Sequence, residues 1–163
     1  MATINGLSTL ANTSVTASDY VPIYYATGGT DRKTTLFATG TWTPALKFGG
    51  GSTGMTYSTQ TGKYVQIATG LIWVGMQITL SAIGSSTGPA TITGLPVAVA
   101  GVSTTLNIMW NTLGASVTTL QALASGTTIT LYSTTGSTGL SGVTNATFAA
   151  TSTLWISGCY AVS

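Results

Sequence analysis

Few side chains in this chain could do chemistry. The charged residues are Asp19, Asp31, Arg32, Lys33, Lys47 and Lys63, and there is no His and no Glu. A carboxylate pair for glycoside hydrolysis would have to be Asp19 and Asp31. Both stand in turn-like surroundings and read as solvated turn or cap residues. A Ser–His–Asp or Cys–His arrangement needs an imidazole that the chain lacks. Zinc needs a His/Cys cluster, and the chain has only Cys159. Calcium needs convergent oxygens, which two scattered Asp residues do not supply. The glycines of "GGGSTG" are not followed by the Lys-Ser or Lys-Thr of a phosphate-binding loop. The expectation is a protein that is not an enzyme, with no cofactor and no metal site.

Aromatic residues are the other candidates. Trp42, Trp73, Trp110 and Trp155 could form a platform on which a sugar ring stacks. Each lies in an alternating stretch, where core packing or a subunit seam is the commoner fate. Cys159 lies in such a stretch too, and reads as a small buried hydrophobe.

The elements that would position these residues are strands. Thr makes up about a fifth of the chain, and β-branched residues favour strands. Charged residues are 4% and hydrophobic residues 44%, so the chain is neither disordered by composition nor suited to tracking phosphates. Nucleic acid is not an expected partner. The longest apolar run, near "LPVAVAGV", is far short of the ~20 residues of a membrane helix, and a membrane is not expected either. No signal peptide is expected, because "MATINGLSTLANTS" has neither a basic start nor an apolar core.

The pattern changes near residue 40. Residues 1–40 carry Asp19, Asp31, Arg32 and Lys33 and read as an extended N-terminal arm. In it "YVPIYYA" forms a short edge strand containing Pro22, and "KTTLFA" returns from a Gly-Gly turn. Residues 41–163 read as one domain of strands and Gly/Ser/Thr turns. "TWTPALKF" is expected as one strand, and "MTYSTQ" and "KYVQIAT" as separate strands flanking Gly62. In "LIWVGMQITL", Ile72, Val74, Met76, Ile78 and Leu80 face one way and Trp73, Gly75, Gln77 and Thr79 the other. "TLNIMWNTL" sets Leu106, Ile108 and Trp110 against Asn107, Met109 and Asn111. "STLWISGCYAV" sets Leu154, Ile156, Tyr160 and Val162 against Trp155 and Cys159. "SVTTLQALA" suits a helical turn by Leu120, Leu123 and Ala124, or a strand by its Thr residues. The expected class is all-β, an antiparallel β-sandwich or jelly-roll-like domain.

These strands are two-sided. Trp73, Met109 and Trp155 lie opposite the main apolar faces, which makes them candidates for a subunit interface. After Lys63 there is no charged side chain as far as Ser163, so little charge repulsion holds copies apart.

The segments "GTWTP", "TYSTQTGKY" and "GSSTGPATITGLP", with the alternating strand after Leu71 between the last two, resemble a β-rich module of tailed-bacteriophage virion proteins. Tail fibres, tailspikes and head decoration (cement) proteins contain it. "DYVPIYYATGGTDRKTTLFA" is similar to segments at the start of many such proteins, although Tyr25 stands where an acidic residue is usual. The resemblance implies a homotrimer on the virion. It also implies that the arm attaches it there, with Asp19, Tyr20, Pro22, Tyr24, Asp31, Arg32 and Lys33 as contact candidates. Two roles follow as expectations. The first is a capsid decoration protein on the head lattice, with the major capsid protein or another virion protein as partner. The second is a short tail fibre or tailspike domain that binds a host surface glycan. The compact domain with one arm and no long shaft favours the first.

Overall fold

The computed structural model describes residues 20–23, 32–35, 38–134 and 139–163. The chain divides into two compact units, Met1–Ala38 and Thr39–Ser163. In the first, β1 (Tyr20–Ile23) and β2 (Arg32–Thr35) pair antiparallel, with Tyr20 opposite Thr35 and Pro22 opposite Lys33. Asp19, Tyr24 and Asp31 lie outside the described residues.

The second unit is a single curled antiparallel sheet. Its strands are β3 (Thr39–Trp42), β4 (Ala45–Phe48), β5 (Met55–Ala68), β6 (Leu71–Ile83), β7 (Ala90–Thr93), β8 (Val99–Leu113), β9 (Thr119–Gly126), β10 (Thr128–Thr134), β11 (Leu140–Gly142) and β12 (Phe148–Ala161). The order across the sheet is β3-β5-β6-β12-β8-β9-β10-β7-β4, with β11 also on β10. The expected all-β class is what the structure shows. The long strand β8 makes the bend. Its residues from Asn107 onwards pair with β12, whereas Thr104–Leu106 pair with β9. The register with β9 shifts between Val99 and Thr104, where Gly101 takes a positive φ of 71°. A bulge of this kind increases local twist and bends a strand.

Bending brings two apolar faces together. Ile72, Val74, Ile78, Leu154 and Ile156 belong to the same buried cluster as Leu46, Ile92, Ala124, Ile129 and Leu131. Alternation along β6 is complete: every second residue from Ile72 to Leu80 is buried. "SVTTLQALA" resolves as strand β9, with Leu120, Ala122 and Ala124 facing the core. Strand partners on both sides supply its backbone hydrogen bonds, and they override the short helical pattern.

Two expected strand boundaries are corrected. "MTYSTQ" and "KYVQIAT" form one strand, because Gly62 continues the ladder opposite Met76 instead of turning the chain. Its missing side chain makes room for Trp42. A Cβ at Gly62 would lie 2.6 Å from the Trp42 ring, and one at Gly40 would lie 2.6 Å from Tyr64. Gly40 pairs with Tyr64 and Trp42 with Gly62, so each aromatic ring covers the glycine opposite it and pins β3 to β5.

"TWTPALKF" is two strands rather than one. The break falls at Thr43–Pro44, where proline has no N–H for a ladder. The strands on either side occupy opposite ends of the sheet order. A two-residue link can span those ends only because the sheet curls almost back onto itself. Side chains close the remaining seam. The Leu46 N–H donates to Tyr57 Oη (3.0 Å), and that hydroxyl donates to the Leu46 carbonyl (3.1 Å). Gln60 Nε2 donates to the Pro44 carbonyl at 2.9 Å. Phe48 exchanges both backbone hydrogen bonds with Gly51. The outer edge of β4 is thereby satisfied without a further strand, which protects an edge from pairing with another chain.

The tyrosines at the two openings of the sheet titrate late. Burial raises the pKa of Tyr57 above its ordinary 10, against the lowering effect of its bond to Leu46. Burial raises Tyr160 in the same way, against its hydrogen bond to the Val97 carbonyl at 2.9 Å. A proton held more tightly in the folded state contributes stability that is present below the unfolded pKa. That stability is lost as pH rises through the raised folded value. The segment 39–163 contains no carboxylate side chain and no imidazole. Its melting temperature should therefore stay flat from about pH 5 to 9 and fall above about pH 10, as differential scanning calorimetry would record. A slope near pH 4 assigned to residues 39–163 would contradict this.

Candidate functional site

The outer face of β3, β5, β6, β12 and β8 holds the outward members of each alternating strand. The registers place Met109, Trp155, Gln77 and Thr61 in one row across four strands. The neighbouring row is Asn107, Ser157, Gly75, Lys63 and Thr41. Cys159, Trp73 and Val65 form the next. On the far side of the indoles, Thr153 Oγ1 donates to Thr79 Oγ1 at 3.1 Å. Thr153–Ser157 of β12 and Gly75–Thr79 of β6 have strand partners on both sides.

Gly75 is the pivot of the face. It has no side chain, and the Trp73 indole leans into that place: a Cβ at Gly75 would lie 2.6 Å from the ring tip. Trp73 therefore forms a ridge with a groove on each side. One groove, of about 460 Å³, is bordered by Thr41, Thr61, Lys63, Trp73 and Gln77. The other, of about 390 Å³, is bordered by Trp73, Asn107, Met109, Trp155 and Ser157. Met109 is 61% exposed, whereas Trp73 and Trp155 are half-buried.

The three interface candidates from the sequence thus come together on one face. The other two indoles go elsewhere. Trp42 is buried, with its Nε1–H donating to the Lys63 carbonyl at 3.2 Å, and Trp110 packs against the core. Cys159 is exposed, contrary to expectation. It stands on the outer side of β12 opposite Trp73, and the alternation that marked it as strand also turns it away from the core. Of the arm candidates, Tyr20, Pro22, Arg32 and Lys33 are placed as strand positions of the first unit. Sequence reasoning did not gather Lys63, Thr61, Thr41, Gln77 and Asn107 into one site. They come from four different strands, and only the register brings them together. Among the described residues no group of His, Cys, Asp or Glu could hold a metal ion, and no helix is long and apolar enough to cross a membrane.

No protein-family model matches the chain, and no curated protein matches it. A solved structure does: the crystal structure of Dettilon tailspike protein (gp208), with a TM-score of 0.64 and 25% identity. This chain is similar to a phage tailspike. The match covers 78% of this chain and 24% of that one, so the similarity concerns a part of a much longer polypeptide. The tailspike likeness supports a bacteriophage structural protein associated with the tail. It gives the capsid surface no specific support.

Proposed function

We propose that this chain is a structural domain of a phage tail fibre or tailspike and that its outer Trp73–Trp155 face binds a host surface glycan. The observation that carries the reading is the composition of that face. Two half-buried indoles stand on the sheet among amides and hydroxyls, in a fold similar to part of a tailspike. An indole offers an apolar surface to the C–H face of a pyranose. A few placed polar groups, such as Gln77, Asn107 and Ser157, then orient its hydroxyls. Compared with the capsid decoration role, this reading has the support of the tailspike likeness.

The test is adsorption. Purified protein should bind host cells, and Trp73→Ala and Trp155→Ala should each reduce that binding at least tenfold while the melting temperature changes little. Unchanged adsorption by both variants would remove the glycan reading. Labelled protein should also map to the tail in images of the virion; density confined to the head lattice would restore the decoration role.

A second reading rests on Met109. A methionine 61% exposed beside Trp155 on a face with one charge has the make-up of an interface centre, where aromatic residues and Met are enriched. Three copies meeting there would form the homotrimer that the sequence resemblance implies. Met109→Asn should then turn a trimer into a monomer by light scattering at micromolar concentration. An unchanged mass would exclude this face from the assembly.

A further inference from the structure

Resting on the glycan reading above, we infer that the groove between Trp73 and Lys63 selects an acidic pyranose, a sugar ring carrying a carboxylate, with Lys63 as its countercharge. Lys63 stands opposite Gly75 in the register, directly beside the place that the Trp73 indole occupies. It is the only charged residue lining this groove. The segment 39–163 contains Lys47 and Lys63 but no Asp and no Glu. Within that segment no side-chain carboxylate competes for Lys63, so its ammonium is open to a carboxylate carried by a ligand. A ring stacked on Trp73 would lie alongside the Lys63 row, with Thr41, Thr61 and Gln77 within its border to meet the hydroxyls.

Three features separate a sugar from other anions. Trp73 and Gln77 stand on β6, whose backbone is paired on both sides there, so a peptide could not add beside them as a strand. It contains no Arg fork and no helix N-terminus, the usual holders of a phosphate. One wall is the Trp73 indole, which matches the apolar face of a pyranose. The groove across the Trp73 ridge is lined by Asn107, Ser157 and Trp155 and has no charge. It suits a neutral sugar next to the acidic one.

The probe is an oligosaccharide of alternating glucuronic acid and N-acetylglucosamine, compared with its carboxyl-reduced counterpart by calorimetry on the full chain. The acidic form should bind at least fivefold more tightly, and raising the salt concentration should weaken it alone. Lys63→Gln should abolish the difference, Lys63→Arg should keep it, and Trp73→Ala should weaken both ligands more than tenfold. Folding should survive these changes. The Lys63 side chain is exposed, and the bond from Trp42 goes to its backbone carbonyl. Equal binding of the two ligands, or a preference that persists in Lys63→Gln, would overturn the inference. Host-cell adsorption separates its failure from that of the function. If Trp73→Ala abolishes adsorption and Lys63→Gln leaves it intact, only the acidic preference falls. If neither change matters, both readings fall.

Discussion

Trp42→Ala is expected to destabilise the domain by about 3–5 kcal/mol, the usual cost of truncating a buried Trp. That corresponds to a fall in melting temperature on the order of 10–20 °C. Trp42 is buried against Gly62, and Gly62 has no side chain that could relax into the space. The change also removes the Nε1–H that satisfies the Lys63 carbonyl. It loosens β3, a four-residue strand that pairs only with β5. Trp73→Ala is the control, because its indole is half-exposed on the outer face. Its cost should stay below about 1.5 kcal/mol, as for a substitution outside the core. Denaturant midpoints of the two variants would decide. Similar losses would mean that the two faces of the sheet are not as distinct as the register makes them.

Tyr57→Phe removes one oxygen atom and should cost about 2–3 kcal/mol. The Tyr57 hydroxyl both accepts from the Leu46 N–H and donates to the Leu46 carbonyl. The phenylalanine ring fills the same space, so the loss is that of two part-buried backbone groups left without partners. Each such group costs roughly 1–3 kcal/mol at most, less where water can reach it. A second effect separates this variant from an ordinary destabilised one. The Leu46 N–H and carbonyl on the outer edge of β4 become free, and free edge groups pair with other chains. Light scattering should therefore show association that grows with protein concentration, well below the melting temperature. A stability change under about 0.5 kcal/mol, with no added association, would mean that the Gln60–Pro44 bond alone holds the seam.

Trp42 and Trp73 also show how far a sequence can be read. Both lie in alternating strands, and both carry the same weight as candidates for core, seam or sugar platform. Along β6 the alternation was enough to place Trp73 outside, because five apolar residues occupy the other face. Met109 and Trp155 were placed outside for the same reason. "TWTPALKF" offered no comparable run, and the fate of Trp42 depended on its being opposite a glycine twenty residues away in β5. Cys159 shows the reverse error: its surroundings looked apolar, but the parity of β12 turns it outward. β9 was ambiguous because Leu120, Leu123 and Ala124 fit a helical turn, and only strand partners on both sides decide against it.

The amino-acid sequence by itself determined the all-β class, the two-sidedness of the long strands, and the confinement of the carboxylate side chains to Asp19 and Asp31. These are local properties: residue type and a period of two suffice to state them. The tertiary structure decided which strands are neighbours. It separated β3 from β4 at opposite ends of one sheet, closed the seam through Tyr57, and assembled Lys63, Gln77 and Asn107 around the Trp73 ridge. Such pairings join residues far apart in the chain. They depend on register, and a one-residue slip turns every side chain of a strand to the other face.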